Sequence, residues 1–143
     1  MQFIIAGVGG QGILFASRVL GHVALSRGLH VNGSEVHGMS QRGGSVVSHV
    51  RWAPVVHSPI IPVGGADVLV AFEKMEAARY AALLRPGGTV IVNEHAIEPI
   101  TVITGGAHYP ATEEIEAAYA GSGQHLVWVH GARVADELGN KHV

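Results

Sequence analysis

Cysteine is absent from this chain. Its absence excludes disulfides and any iron–sulfur cluster ligated by thiolates of this polypeptide. Charge is also scarce, at 14% of residues, and nine Lys+Arg against eleven Asp+Glu leave a formal net charge of -2. Without a basic excess, neither nucleic acid nor an anionic membrane surface is an expected partner. No apolar run approaches the ~18 residues of a membrane span, and the opening MQFIIAG has neither a basic n-region nor a long apolar h-region. The cytoplasm is the expected compartment. The ten histidines lack H-x-x-x-H or H-E-x-x-H spacing, so no metal site is expected.

What the chain does have is apolar content of 48% over 143 residues. That length suits one domain, 1–143, which buries roughly 70% of its unfolded surface. High apolar and low charged content suit a buried α/β core and a protein that hides surface against partners. QFIIAG reads as a strand, and Ile13, Ala16, Leu20, Val23 and Ala24 at helical spacing predict a helix ending at Gly28. LHVNGSEV and SVVSHVRW follow as strands, the second with faces of different polarity. Pro54, Pro59 and Pro62 make the next stretch a connection. ADVLVAF predicts a doubly buried strand, then a helix from about Lys74 to Leu84 stopped by RPGG. TVIVNE and ITVIT read as strands, ATEEIEAAYA as a helix capped by Thr112, HLVWVH as a strand, and ARVADELGNKHV as the start of a last helix. The alternation predicts a three-layer, Rossmann-like α/β fold with a mainly parallel sheet.

Gly7-Val8-Gly9-Gly10-Gln11-Gly12 fits G-x-G-x-x-G between a strand and a helix. Such a loop lets backbone N–H groups approach a phosphate at the positive end of the helix. A nicotinamide dinucleotide site needs an acid about twenty residues further on. Asn32 stands near that point and Glu35 three residues later. A stand-alone nucleotide-binding module for NAD or another phosphate ligand is one reading, and glycines that simply admit close strand-to-helix packing are another.

The second glycine-rich stretch, VHGMSQRGGSVVSHVR, sets Arg42 among Ser40, Gln41, Gly43, Gly44 and Ser45, with His37 and His49 on either side. A guanidinium there suits bidentate capture of a phosphate or carboxylate. The alternative is a surface turn with Arg42 paired to Glu35 or a carbonyl. The two histidines are either proton donors near neutral pH or structural hydrogen-bonding groups.

The paired motifs GVGGQG and SEVHGMSQRGGSVVSHVR, continued by ADVLVAFEKMEAARYAALLRPGGTVIVNE, resemble the gamma domain of the 2-oxoacid:ferredoxin oxidoreductases. The resemblance implies a subunit, inactive alone, of an indolepyruvate-type complex. There an aryl pyruvate is oxidatively decarboxylated, coenzyme A takes the acyl group and ferredoxin takes the electrons. It further implies that a large alpha subunit carries thiamine diphosphate and the iron–sulfur clusters. Coenzyme A would meet Gly7, Gly9, Gly10, Gln11 and Gly12, with Ser40, Gln41, Arg42, Gly43 and Gly44 as the second contact, either to coenzyme A or to the neighbouring subunit. No catalytic acid or base is assigned. Family members usually continue through further helices after the stretch matching ARVADELGN, so a C-terminally shortened domain is expected.

Overall fold

The computed structural model describes residues 1–37 and 44–139. Six strands form one sheet: β1 (Gln2–Val8), β2 (His30–His37), β3 (Ser45–Ala53), β4 (Ala66–Ala71), β5 (Leu84–Asn93) and β6 (His125–Val129). Their order is β2-β3-β1-β4-β5-β6. The pairs β1–β4, β4–β5 and β5–β6 are parallel, while β3 runs antiparallel to both β1 and β2. The sheet is thus mainly parallel, with an antiparallel insertion at one side.

Helices cover both faces, which makes three layers. Helix α1 (Ile13–Ser26) packs on one side; α2 (Lys74–Tyr80) and α4 (Thr112–Ala120) pack on the other. Strand β1 serves both cores because its residues alternate between faces. Phe3 and Ile5 join Ile13, Ala24, Val46, Val50 and Trp52 under α1, where the Phe3 and Trp52 rings stack at 4.7 Å. Ile4 and Ala6 join Val47, Leu69, Val90, Val92, Ile115 and Tyr119 under α2 and α4.

The two faces of strand β3 differ in polarity as expected, Val46, Ser48, Val50 and Trp52 alternating with Ser45, Val47, His49 and Arg51. Both faces are covered, and Ser48 and His49 are buried at 1% and 7% exposure. His49 is satisfied by the Ile61 amide, which donates to Nδ1 at 3.2 Å from the proline-rich connection crossing that face. On α1, Val23 is half-exposed and Phe15, Val19 and Leu25 are exposed, so the helix is apolar on its outer side as well.

Three local expectations are corrected. ITVIT reads as a strand because it is rich in β-branched residues, but Ile100–Ile103 forms the short helix α3. The free side of β5 is taken by β6, and the Val102 and Ile103 amides turn back to the Pro99 carbonyl at 2.9 and 3.1 Å. The RPGG stretch is not a helix stop. Helix α2 ends at Tyr80 and passes through a 3-10 turn at Ala81–Leu83, and Arg85–Gly88 forms the irregular beginning of β5, with a register shift between Ala66 and Val68 on β4. Thr112 is the first residue of α4, not its cap; the cap residue is Ala111, whose amide donates to the Glu114 carboxylate at 2.6 Å. The last helix, α5, runs Gly131–Glu137.

Candidate functional site

The first glycine loop leaves the C-terminal end of β1 and opens α1. Its glycines serve different physical needs. At Gly7 a side chain would lie 2.8 Å from Gln11 Oε1 and 3.0 Å from both Phe72 Cβ and Ile13 Cδ1, so this position is closed by packing. Gly10 and Gly12 face open space but have φ of +104° and +87°, which side-chain-bearing residues rarely adopt. Gly12 caps α1 without any side-chain acceptor, and the first turn carries no acid. The positive end of this helix is therefore left uncompensated by the described residues, as an anion site requires.

Beyond the end of the β1–β3 ladder, the two motifs are joined by a hydrogen bond in which the Gly9 amide donates to the Gly44 carbonyl at 2.9 Å. Ser40, Gln41, Arg42 and Gly43 lie outside the described residues, as does the His37 side chain. Gly44 and Ser45, where the second motif enters β3, stand against the end of β1, with Val8 opposite Ser45.

On the other side of β1, the C-terminal ends of the four parallel strands form a cleft of about 580 Å³, lined by Gly10, Gln11, Gly12, Phe72, Asn93, His95, Ile97 and Gly131 among others. Connections from β1 and β4 leave in opposite directions along the sheet, so this is a topological switch point, where open α/β sheets take ligands. A belt of amide hydrogen bonds forms its floor. Gln11 Oε1 accepts from the Val8 amide at 2.7 Å, and Gln11 Nε2 donates to the Phe72 carbonyl at 3.1 Å. Asn93 Nδ2 donates to the same carbonyl at 3.3 Å, and Asn93 Oδ1 accepts from the Gly131 amide at 2.9 Å. The Gln11 side chain thus ties β1 to β4. The walls are apolar, from Val70, Ala71, Phe72, Ile91, Ile97 and Val129. Glu94, at the rim, pairs with His130.

Neither Asn93 nor Gly131 stands out in the sequence. The signal for both was positional: each falls just at the C-terminal end of a parallel strand, where a switch-point cleft draws its lining. His49 lies away from the cleft; burial holds its pKa below the ordinary 6.5, and the amide hydrogen at Nδ1 makes it a neutral, structural ring. Among the described residues, no three His, Cys, Asp or Glu side chains are grouped as a metal ion requires.

The order β2-β3-β1 weighs against a dinucleotide site. In that arrangement the acid on the second strand must sit beside the glycine loop. Here β3 separates them, placing Glu35 two strand spacings, about 10 Å, from β1.

Fold and site together define an open, doubly wound α/β domain with a glycine loop at the switch point. The pyruvate ferredoxin/flavodoxin oxidoreductase model matches residues 2–143, and the chain belongs to that family. It is 50% identical over 115 residues to the indolepyruvate oxidoreductase subunit IorB of Pyrococcus horikoshii, covering 80% of this chain and 57% of that protein. It is 41% identical over 140 residues to the IorB subunit of Archaeoglobus fulgidus, covering 98% and 69%. The chain therefore spans between about half and two thirds of the length of these curated relatives. Among solved structures, the pyruvate oxidoreductase subunit PORC of Thermotoga maritima superposes with a TM-score of 0.68 at 19% identity, over 99% of this chain and 68% of that one. The 2-oxoglutarate:ferredoxin oxidoreductase of Magnetococcus marinus, solved with 2-oxoglutarate, coenzyme A and succinyl-CoA bound, superposes with a TM-score of 0.69 at 18% identity. This chain covers 99% of itself and 22% of that one, so the same fold stands there inside a far longer polypeptide.

Proposed function

We propose that the chain is a subunit of an indolepyruvate-type 2-oxoacid:ferredoxin oxidoreductase and supplies part of the coenzyme A side of its active site. The complex oxidatively decarboxylates an aryl pyruvate, passes the acyl group to the coenzyme A thiol and sends the electrons to ferredoxin. A large partner subunit carries the thiamine diphosphate and the iron–sulfur clusters, a division that agrees with the absence of cysteine here. The reading is carried by the Gly9–Gly44 hydrogen bond, which joins both motifs at the end of β1 beside an apolar switch-point cleft.

In this reading the loop of Gly7, Gly9, Gly10, Gln11 and Gly12 brings coenzyme A phosphates to the uncompensated positive end of α1, the Gly9 and Gln11 amides being bonded to the Gly44 and Val8 carbonyls, and Arg42, with Ser40, Gln41, Gly43 and Gly44, supplies the cation. No Lys or Arg lines the cleft among the described residues, and its walls are apolar. Beyond the glycine loop at its β1 end, the cleft suits the uncharged arm of coenzyme A rather than its phosphates.

The test is steady-state kinetics on the complex reconstituted with its large subunit, using indolepyruvate, coenzyme A and a viologen dye. The complex turns over and the isolated chain does not. Arg42→Ala raises KM for coenzyme A about tenfold or more, the scale of one lost charged hydrogen bond, and leaves KM for the oxoacid within twofold. Turnover by the pure chain sinks the subunit reading, and a change confined to the oxoacid KM sinks the coenzyme A role.

A further inference from the structure

Glu76 is a buried carboxylate that the cleft does not use. It lies in the first turn of α2 at 3% exposure, yet it is not the cap of that helix; Glu73 is, accepting from the Glu76 amide at 3.1 Å. A buried charge persists only when its oxygens are hydrogen-bonded and its charge is answered. Arg79 Nε donates to Oε1 at 3.1 Å from the next turn, and Ser45 Oγ donates to Oε2. The Tyr80 hydroxyl stands 3.1 Å from Ser45 Oγ. The serine proton is committed to the carboxylate, so Tyr80 is the donor in that contact. Two side chains of α2, Glu76 and Tyr80, thus converge on Ser45, and Arg79 answers the charge of Glu76.

What Ser45 holds gives the network its meaning. It is the first residue of β3, it lies opposite Val8 at the end of β1, and Gly44, immediately before it, accepts the Gly9 amide. A residue fixed by a buried carboxylate on one side and by the sheet on the other has little freedom to shift. Its neighbour's carbonyl then fixes Gly9, and through Gly9 the direction of the loop amides that follow.

We propose that Glu76, acting through Ser45 and steadied by Tyr80, is a positioning residue that sets the geometry of the glycine loop for a phosphate-bearing ligand, coenzyme A in the function proposed above. The inference rests on that reading of the loops. Glu76 itself touches no ligand; it acts through the joint between Gly44 and Gly9.

The experiment measures KM for coenzyme A, KM for the oxoacid and kcat in the reconstituted complex. Ser45→Ala is expected to raise KM for coenzyme A about fivefold to tenfold, with kcat and the oxoacid KM within about twofold. Ser45→Thr, which keeps the hydroxyl, restores the wild-type value. Tyr80→Phe, which removes only the outer donor, raises it about two- to threefold and keeps the packing of the ring if Ser45→Ala fails to fold. Equal shifts in both KM values, or failure of Ser45→Thr to rescue, would mean general loosening and overturn the proposal. If Arg42→Ala raises KM for coenzyme A and neither Ser45→Ala nor Tyr80→Phe does, the loops bind coenzyme A without help from Glu76. If neither Arg42→Ala nor Ser45→Ala moves it, the coenzyme A reading itself fails and the positioning role with it.

Discussion

At Gly7 and Gly12 the same residue type answers different demands, and the two alanine variants separate them. Gly7→Ala drives a methyl against Gln11 Oε1 at 2.8 Å and Phe72 Cβ at 3.0 Å, an overpacking that costs about 1–3 kcal/mol. The loss is read as a lowered urea midpoint. Gly12→Ala meets nothing within 4 Å but forces a left-handed φ of +87°, at a cost of roughly 1–3 kcal/mol, and turns the leading amides of α1. Its expected signature is a raised KM for coenzyme A on top of the stability loss. His49 gives the pH-dependent counterpart. Burial lowers its folded pKa below 6.5, so as pH falls through that value the unfolded ring takes up a proton that the folded ring resists. The unfolded state then binds more protons, and stability falls on acidification. His49→Gln keeps an acceptor for the Ile61 amide and flattens the fall in urea midpoint between pH 7.5 and 5.5. A slope unchanged in His49→Gln would refute the assignment.

Elements whose periodicity or composition matches their burial were legible from the chain alone. Strand β1 is apolar on both faces because two cores share it, and Ile13, Ala16, Leu20 and Ala24 do face the sheet from α1. Legibility failed where a local signal was overruled by tertiary context. ITVI has strand composition but its amides turn back to the Pro99 carbonyl in a short helix, and RPGG has stop composition but continues into the bulged start of β5. The antiparallel insertion of β3 was not readable either, since alternation tells which face a residue takes and not which neighbour its strand chooses. The candidate site was half legible. The glycine pattern announced the loop, whereas Asn93 and Gly131 enter the cleft through strand order. Their bond predicts a sharp effect on one element: Asn93→Ala frees the Phe72 carbonyl of one donor and leaves the Gly131 amide unpaired. The expected cost is about 1–3 kcal/mol, with faster hydrogen exchange at the start of α5 than in α1. Uniform acceleration across both helices would show that the belt has no local role.

Over the whole molecule, the position of β1 decides whether the two cores act as one. Ile4 and Ala6 belong to the core under α2 and α4, while Phe3 and Ile5 belong to the core under α1. Losing either core strips one face of β1, and the strand that the other core rests on loses half of its packing. The two tryptophans report the two sides separately: Trp52 is buried under α1 against Phe3, and Trp128 is packed against the opposite core. Single-tryptophan chains, Trp128→Phe and Trp52→Phe, are therefore expected to show urea fluorescence transitions that each coincide with the far-UV circular dichroism of the same variant. Ile4→Val and Ile5→Val, on opposite faces, each cost about 0.5–1.5 kcal/mol and shift the signal of both tryptophans equally. A core mutation that moved its own tryptophan and spared the other would divide the domain into two units. The glycine loop would then hang on whichever core is weaker. Coincidence instead means that the loop at the end of β1 carries the stability of the entire sheet, so its amides keep their direction until the domain unfolds as a whole.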